Sequence, residues 1–271
     1  MAPTAKRLLL QLLVAAGGTP LPVRTAALAG ALFDISENNV RVALVRLTAE
    51  GLIESAGRGE YRLAEGAEYL AREVAAWRDA EERVSRWAGG YAGVHTGALG
   101  RTDKAALRRR TRALSLLGFA ELERGLHVRP DNLQRGIDGI RQRLHALGLE
   151  EDAIVFQAGT FDERTEARIR RLWDGKGLTA SYGRTRQKLQ RWLGGARELE
   201  LDVAARESFL LGGQAIRQIV FDPLLPPPFV DVEERRAFID AMKTMDREGR
   251  RIWRRFFDVA GAPAGAASMA H

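Results

Sequence analysis

Apolar positions recur every three or four residues over most of this chain and alternate over only a few short stretches, so helices should dominate. Leu8, Leu9, Leu12 and Leu13 share one face of a helix predicted over Thr4–Ala16 and stopped by Gly17-Gly18. Pro22 suits the first turn of a second helix running to about Leu32. Ser36 is a strong N-cap for a third, on which Val40, Ala43, Leu44 and Leu47 form the inner stripe and which Gly51 ends. Strands over Leu52–Ala56 and Tyr61–Leu63 follow, joined by Gly57-Arg58-Gly59-Glu60. Helix, helix, turn, helix and hairpin together predict a winged helix-turn-helix.

Further along, Glu65–Glu82 reads as a helix leading out of that domain. Between 88 and 160 the pattern is strand, helix, strand, strand, helix, strand, the order of a ferredoxin-like α+β domain. Four helices follow, over Glu163–Trp173, Leu178–Leu193, Val203–Ile219 and Asp231–Phe257. The last two are separated by Phe221-Asp222-Pro223-Leu224-Leu225-Pro226-Pro227-Pro228, where prolines forbid a helix. The expected fold class is therefore α+β and mainly helical. Its expected parts are a winged helix-turn-helix (1–66), a linker helix (67–87), a ferredoxin-like domain (88–160), a helical C-terminal domain (161–258) and a frayed Ala/Gly-rich tail (259–271).

The outer side of the third helix presents Asn38, Arg41, Val42 and Val45, flanked by Asn39 and Arg46. Arginine pairs bidentately with guanine, asparagine with adenine, and valine meets a thymine methyl. Base contacts concentrate at the N-terminal end of a recognition helix, where these residues lie. Arg58 at the hairpin tip would reach a phosphate or the minor groove. The plainer reading of the same residues is a solvated helix face beside an ordinary hairpin.

Composition changes this picture in one respect. The formal net charge is +7 over 271 residues, which suits a polyanionic partner, but the charge is unevenly placed. Residues 1–85 hold ten Lys and Arg against eleven Asp and Glu, whereas residues 86–150 hold twelve against six. The expected DNA reader thus has little bulk electrostatic attraction of its own. There is no cysteine, which excludes disulfides and thiolate metal sites and suits a reducing cytoplasm. No run reaches the roughly 18–20 apolar residues of a membrane span, and Leu8–Ala16 lacks a signal-peptide cleavage site. The chain is expected to be cytoplasmic with no membrane partner.

Candidate chemistry elsewhere is sparse. Arg108, Arg109, Arg110 and Arg112 form a basic cluster that is a solvated face, a set of DNA-backbone contacts or a grip for a phosphate-bearing ligand. His95 and His127 fall at the ends of strands expected to be neighbours and could meet, though no carboxylate stands at ligand spacing. Asp162 and Glu163 sit where a helix starts, which makes capping their simplest role. Trp173, Tyr182, Trp192 and Phe209 read as core stripes or as the lining of an aromatic pocket. No nucleophile elbow, phosphate loop or zinc-protease motif occurs; no catalytic residue, metal ligand or enzyme activity is assigned.

Five motifs in order resemble the PaaX-like regulators, bacterial repressors of phenylacetate catabolism: N-x-V-R-V-A-L-V-R-L-x-x-E-G-L (Asn38–Leu52), R-W-x-G-G-Y (Arg86–Tyr91), L-x-x-L-G-F (Leu114–Phe119), H-V-R-P (His127–Pro130) and F-D-P-L-L-P (Phe221–Pro226). The resemblance runs from the first helix to about Phe257. It implies the same three domains, the middle one akin to small CRISPR adaptation nucleases. It also implies a homodimer on a double-stranded palindromic operator, released by a small-molecule effector of the acyl-CoA kind, such as phenylacetyl-CoA. Two departures qualify the transfer. Leu-Leu-Pro is followed by Pro-Pro-Phe rather than an x-x-Trp-like continuation, which bears on the acyl group recognised. Val94-His95-Thr96 lacks the metal-binding aspartate of the related nucleases, which argues against the rival reading of a metal-dependent nuclease. A second rival, a winged-helix module that docks another protein, draws on the near-neutral charge of residues 1–85.

Overall fold

The computed structural model describes residues 2–261. The expected tail, with His271, lies for the most part outside the described residues. The architecture is mixed α+β with two small antiparallel sheets, and residues pack into two compact units, each interrupted in sequence.

The first unit comprises residues up to 76 together with 186–217 and the chain from 240 onward. Its opening helix, α1 (Ala5–Ala15), is capped by the Thr4 hydroxyl, which accepts from the Arg7 amide, and buries Leu8, Leu9, Leu12 and Leu13. A two-residue strand, β1 (Leu21–Pro22), leads into α2 (Val23–Ala31). After the turn, Ser36 Oγ accepts from the Asn39 amide at 3.3 Å and starts α3 (Glu37–Ala49). Gly51 stops α3 with φ +68°, a conformation cheap only for glycine. Strands β2 (Ile53–Gly57) and β3 (Glu60–Leu63) form the hairpin, turning on Arg58-Gly59, with β1 added on the far side of β3. The sequence pattern did not reveal β1, because two residues are too few to show alternation. Leu21 nevertheless pairs with Tyr61 and is buried.

Helix α4 (Glu65–Ala75) is shorter than expected, giving way to single turns of tighter helix over Ala76–Asp79 and Glu81–Arg83. The three long C-terminal helices are α8 (Gly175–Gly195), α9 (Leu201–Val220) and α10 (Val232–Val259). Their division is the main departure from the expected boundaries. Ala204, Ala205, Ile252 and Phe257 join one core with Leu8, Leu12, Val40, Leu44 and Leu47, so much of the expected 161–258 domain packs with the N-terminal helices. The cause is sequence composition: α9 and α10 carry apolar residues along their whole length, and α1 offers four leucines to cover them.

The second unit comprises residues 77–185 and 218–239. It contains β4 (Tyr91–His95), α5 (Lys104–Leu116), β5 (Ala120–Glu123), β6 (Leu126–Pro130), α6 (Gly136–Ala146), β7 (Ile154–Ala158) and α7 (Glu163–Ile169). The sheet order is β5-β6-β4-β7, every pair antiparallel. Gly93 in β4 leaves room for the Phe156 ring from β7, which a Cβ there would meet at 2.3 Å. Asp162 caps α7 by accepting from the Thr165 amide at 3.0 Å.

Candidate functional site

The outward face of α3 is built from the residues that its own core stripe leaves over. Val40, Ala43, Leu44 and Leu47 are buried, and Asn38, Asn39, Arg41, Val42, Val45 and Arg46 are all exposed. Val45 keeps 66% of its surface and Val42 39%, two apolar side chains in water on a helix with a well-filled inner face. Arg58 is exposed at the hairpin tip. Several other charges of this unit are already engaged. Arg41 Nη2 lies 2.6 Å from Glu37 Oε1 one turn earlier, Lys6 pairs with Glu50, and Arg62 bonds Glu54 across the hairpin at 2.7 Å. The face can therefore offer amide, guanidinium and methyl contacts together, with Glu37 competing for Arg41.

The arginine cluster on α5 separates into two kinds. Arg108, Arg109 and Arg112 are exposed, but Arg110 is 6% exposed. Its Nη2 donates to the Gly100 carbonyl at 3.1 Å, and its guanidinium binds Glu150 at two points. That pairing holds the Glu150 carboxyl below its ordinary range, the Arg110 bond being the largest cause. Arg110 is thus unable to serve as a surface ligand contact, while Thr111 beside it stands in solvent. The helix turns its polar edge inward because a carboxylate forty residues later waits for it.

His95 and His127 do lie on neighbouring strands, but the register pairs Val94 with His127 and His95 with Leu126. Side chains alternate along a strand, so the two imidazoles emerge on opposite faces. Burial lowers the His127 pKa, opposed by nearby Glu121. Among the described residues no group of three or more His, Asp or Glu is placed to hold a metal ion.

The distinctive motifs of the second unit converge on one buried polar knot. Arg129 of H-V-R-P is 1% exposed and donates to the carbonyls of Leu117 and Pro130 and to Asn132 Oδ1. Burial pushes its pKa down to about 9, which leaves it charged at neutral pH. Asn132 in turn donates to the Leu224 carbonyl at 2.8 Å, and Asp222 accepts from the Leu224 amide at 2.8 Å. Those two bonds hold Leu224 at φ +50°, a backbone strain that only surrounding structure can maintain. Gly118 of L-x-x-L-G-F has φ +71° and faces Pro223, whose Cα a Cβ would approach to 2.5 Å. Arg235 donates to the Leu225 carbonyl and pairs with Glu81 at 2.7 Å. Burial raises the Asp222 carboxyl, with Tyr182 and Arg235 acting against it.

The four aromatic residues also divide. Tyr182 is fully buried and stacks on Phe238 at 6.0 Å. Trp173 packs edge-on against Phe229, which also meets Trp87, so Phe229 supplies the aromatic that follows Leu-Leu-Pro. Trp192 donates its indole N–H to Glu207 at 2.9 Å. Phe209 lines a cavity of about 160 Å³ within the first unit, together with residues of α1, α9 and α10. Phe209 thus fits the pocket alternative, while the cavity's place among three helices was not read from the sequence, although Gly212-Gly213 in the middle of α9 and Gly249 in α10 were a usable signal. Glycine inside a long helix costs stability and leaves an opening.

Two comparisons bear on the family and the fold. Residues 173–255 match the family model of the PaaX-like protein C-terminal domain. Over that stretch the chain is similar to the PaaX-like proteins, a family of transcriptional regulators. An uncharacterized protein, Rv0674 from Mycobacterium tuberculosis, has a similar solved structure, with a TM-score of 0.56 and 22% identity over 92% of this chain and 98% of that one. No curated protein matches the chain. Among the described residues no helix is long and apolar enough to cross a membrane.

Proposed function

We propose that the protein is a cytoplasmic, homodimeric, ligand-responsive repressor that reads double-stranded operator DNA through α3, in a phenylacetate-related or similar aromatic-acid context. The observation that carries this reading is the exposed α3 face, where Asn38, Asn39, Arg41, Val42, Val45 and Arg46 stand together in solvent beside Arg58. Nothing in the stability of the first unit requires two valines in water, whereas thymine methyls do. Residues 1–66 then act as the winged helix-turn-helix, with β2 and β3 as the wing. Residues 88–160 act as a ferredoxin-like domain, which the antiparallel order β5-β6-β4-β7 supports. Arg108, Arg109 and Arg112 add backbone or phosphate contacts, and an effector of the aryl-CoA kind releases the operator.

In a dimer the two α3 helices would enter successive major grooves about one helical turn apart. Arg41→Ala should weaken operator binding by about 1–3 kcal/mol and relax preference at one base position. Footprinting with randomised half-sites measures both, and an unchanged affinity with an unchanged preference would sink the assignment of this face. The engaged Lys6, Arg41 and Arg62 favour a second reading, a module that docks protein. A shift that is absent, or independent of salt, would support that reading, because phosphate contacts weaken as salt rises.

A further inference from the structure

We infer that the cavity between α1, α9 and α10 of the first unit is a binding site for a small aromatic carboxylate as the free acid. Its volume is about 160 Å³, close to the roughly 150 Å³ of an apolar protein cavity known to take up benzene. One six-membered ring fills such a space. The walls are suited to a ring: Phe209, Met242, Met245, Trp253 and Phe257 contribute apolar and aromatic surface, and Trp253 lies 5.4 Å from Phe257 and 6.0 Å from Phe209.

Two wall residues are polar and incompletely bonded. Arg250 Nε donates to Asp246 at 3.0 Å, while its Nη1 is buried with no hydrogen-bond partner. Gln11 Oε1 is likewise buried and unbonded. Buried polar atoms normally find partners, and each that does not calls for an explanation. A carboxylate on the ring would satisfy the guanidinium by a charge-assisted bond, the stronger kind. Gln11 would accept from a hydroxyl or from a water carried in with the ligand. The space itself is made by glycine: a Cβ on Gly212 would sit 3.6 Å from the Met242 methyl, in ordinary contact, and would take up room that is now open.

This chemistry sets the ligand of the cavity apart from the aryl-CoA effector proposed above. Esterification to coenzyme A replaces the carboxylate by a neutral thioester carbonyl and removes the charge Arg250 would meet. The site therefore favours the acid over its thioester. Binding here belongs to the first unit alone, so it can be measured without DNA and does not depend on the reading of α3.

The test is titration calorimetry of the full chain with benzoate, toluene and benzoyl-CoA. Benzoate should bind one per chain and more tightly than either of the others. Arg250→Met keeps the apolar stem but removes the guanidinium from both the ligand and Asp246, and should weaken benzoate by about tenfold or more while leaving toluene, which has no charge to meet it, unchanged. Gly212→Ala should weaken benzoate and toluene together by about fivefold, by taking volume from the site. It should also raise the melting temperature, because alanine is the better helix former. That split separates a filled cavity from a damaged fold. No benzoate binding by the unmodified chain, insensitivity to both substitutions, or tighter binding of benzoyl-CoA would each overturn the inference.

Discussion

On α3 the distinctive residues face water: Arg41, Val42 and Val45 are all exposed. In the second unit they are wholly inside, where Arg129, Asn132, Asp222 and Arg235 are each 6% exposed or less. The two sets make equal impressions as sequence, yet they answer to different physics. A buried guanidinium with three acceptors specifies where loops must lie, and cannot change without unfolding something. An exposed arginine beside an exposed valine specifies nothing about its own fold and is free to meet a partner. A strong motif is thus no guide to a site until burial is known.

The largest test of this contrast is Arg129→Met. It takes the guanidinium from the buried Leu117 carbonyl and Asn132 Oδ1, while the Pro130 carbonyl keeps the Asn132 amide, at a cost of about 3–5 kcal/mol. Urea unfolding of the second unit should show it, while benzoate binding in the first unit persists. If the variant loses less than about 1 kcal/mol, the knot is dispensable and the motifs need another explanation.

Arg58→Ala probes the opposite region. Unfolding should be unchanged, because the side chain is at the hairpin tip, and DNA affinity should fall uniformly across sequences with the salt slope reduced by about 1. A loss confined to one operator sequence would instead make Arg58 a base reader.

What could be read in advance follows from the same contrast. Ser36, the Val40–Leu47 stripe and Gly51 fix α3 by contacts within one turn, so α3 was legible to within a residue. The β-α-β-β-α-β order of residues 88–160 was legible for the same reason, since each element carries its own period. Arg110 was not, because its inward turn depends on Glu150, and no local spacing encodes a partner forty residues away. The His95 and His127 strands were rightly placed side by side, but a register offset of one residue, set by pairing across the sheet, puts the rings on opposite faces. The cavity is harder still. It exists because α1 meets α9 and α10, which lie roughly two hundred residues further along the chain.

His127 gives a smaller, pH-dependent effect. Burial lowers its folded pKa below the ordinary 6.5, so the folded state resists protonation that the unfolded chain accepts. Stability is then complete above about 6.5 and declines as pH falls through that value, levelling off below the folded pKa. His127→Gln should flatten that slope in melting curves taken from pH 7.5 to 5. An unchanged slope would place the titration on other groups.

The smallest effect concerns Glu37, and it bears most directly on whether α3 is a working surface or a solvated one. The Glu37–Arg41 pair is more than half exposed on both sides, and such i,i+4 pairs contribute about 0.3–0.5 kcal/mol at most. Glu37→Gln should therefore barely change stability, with the lost first-turn acid costing a few tenths of a kcal/mol through the helix dipole, roughly 0.3–1 at the exposed end. On DNA the change acts in the other direction. Arg41 is released from competition and a carboxylate is removed from beside the phosphates, so affinity should rise severalfold. The gain should be lost in Glu37→Gln/Arg41→Ala, because the freed guanidinium is its main source. If Glu37→Gln tightens binding equally in the presence and absence of Arg41, the gain is only reduced repulsion. Arg41 would then contribute nothing specific, and the face would read DNA through its asparagines and valines alone.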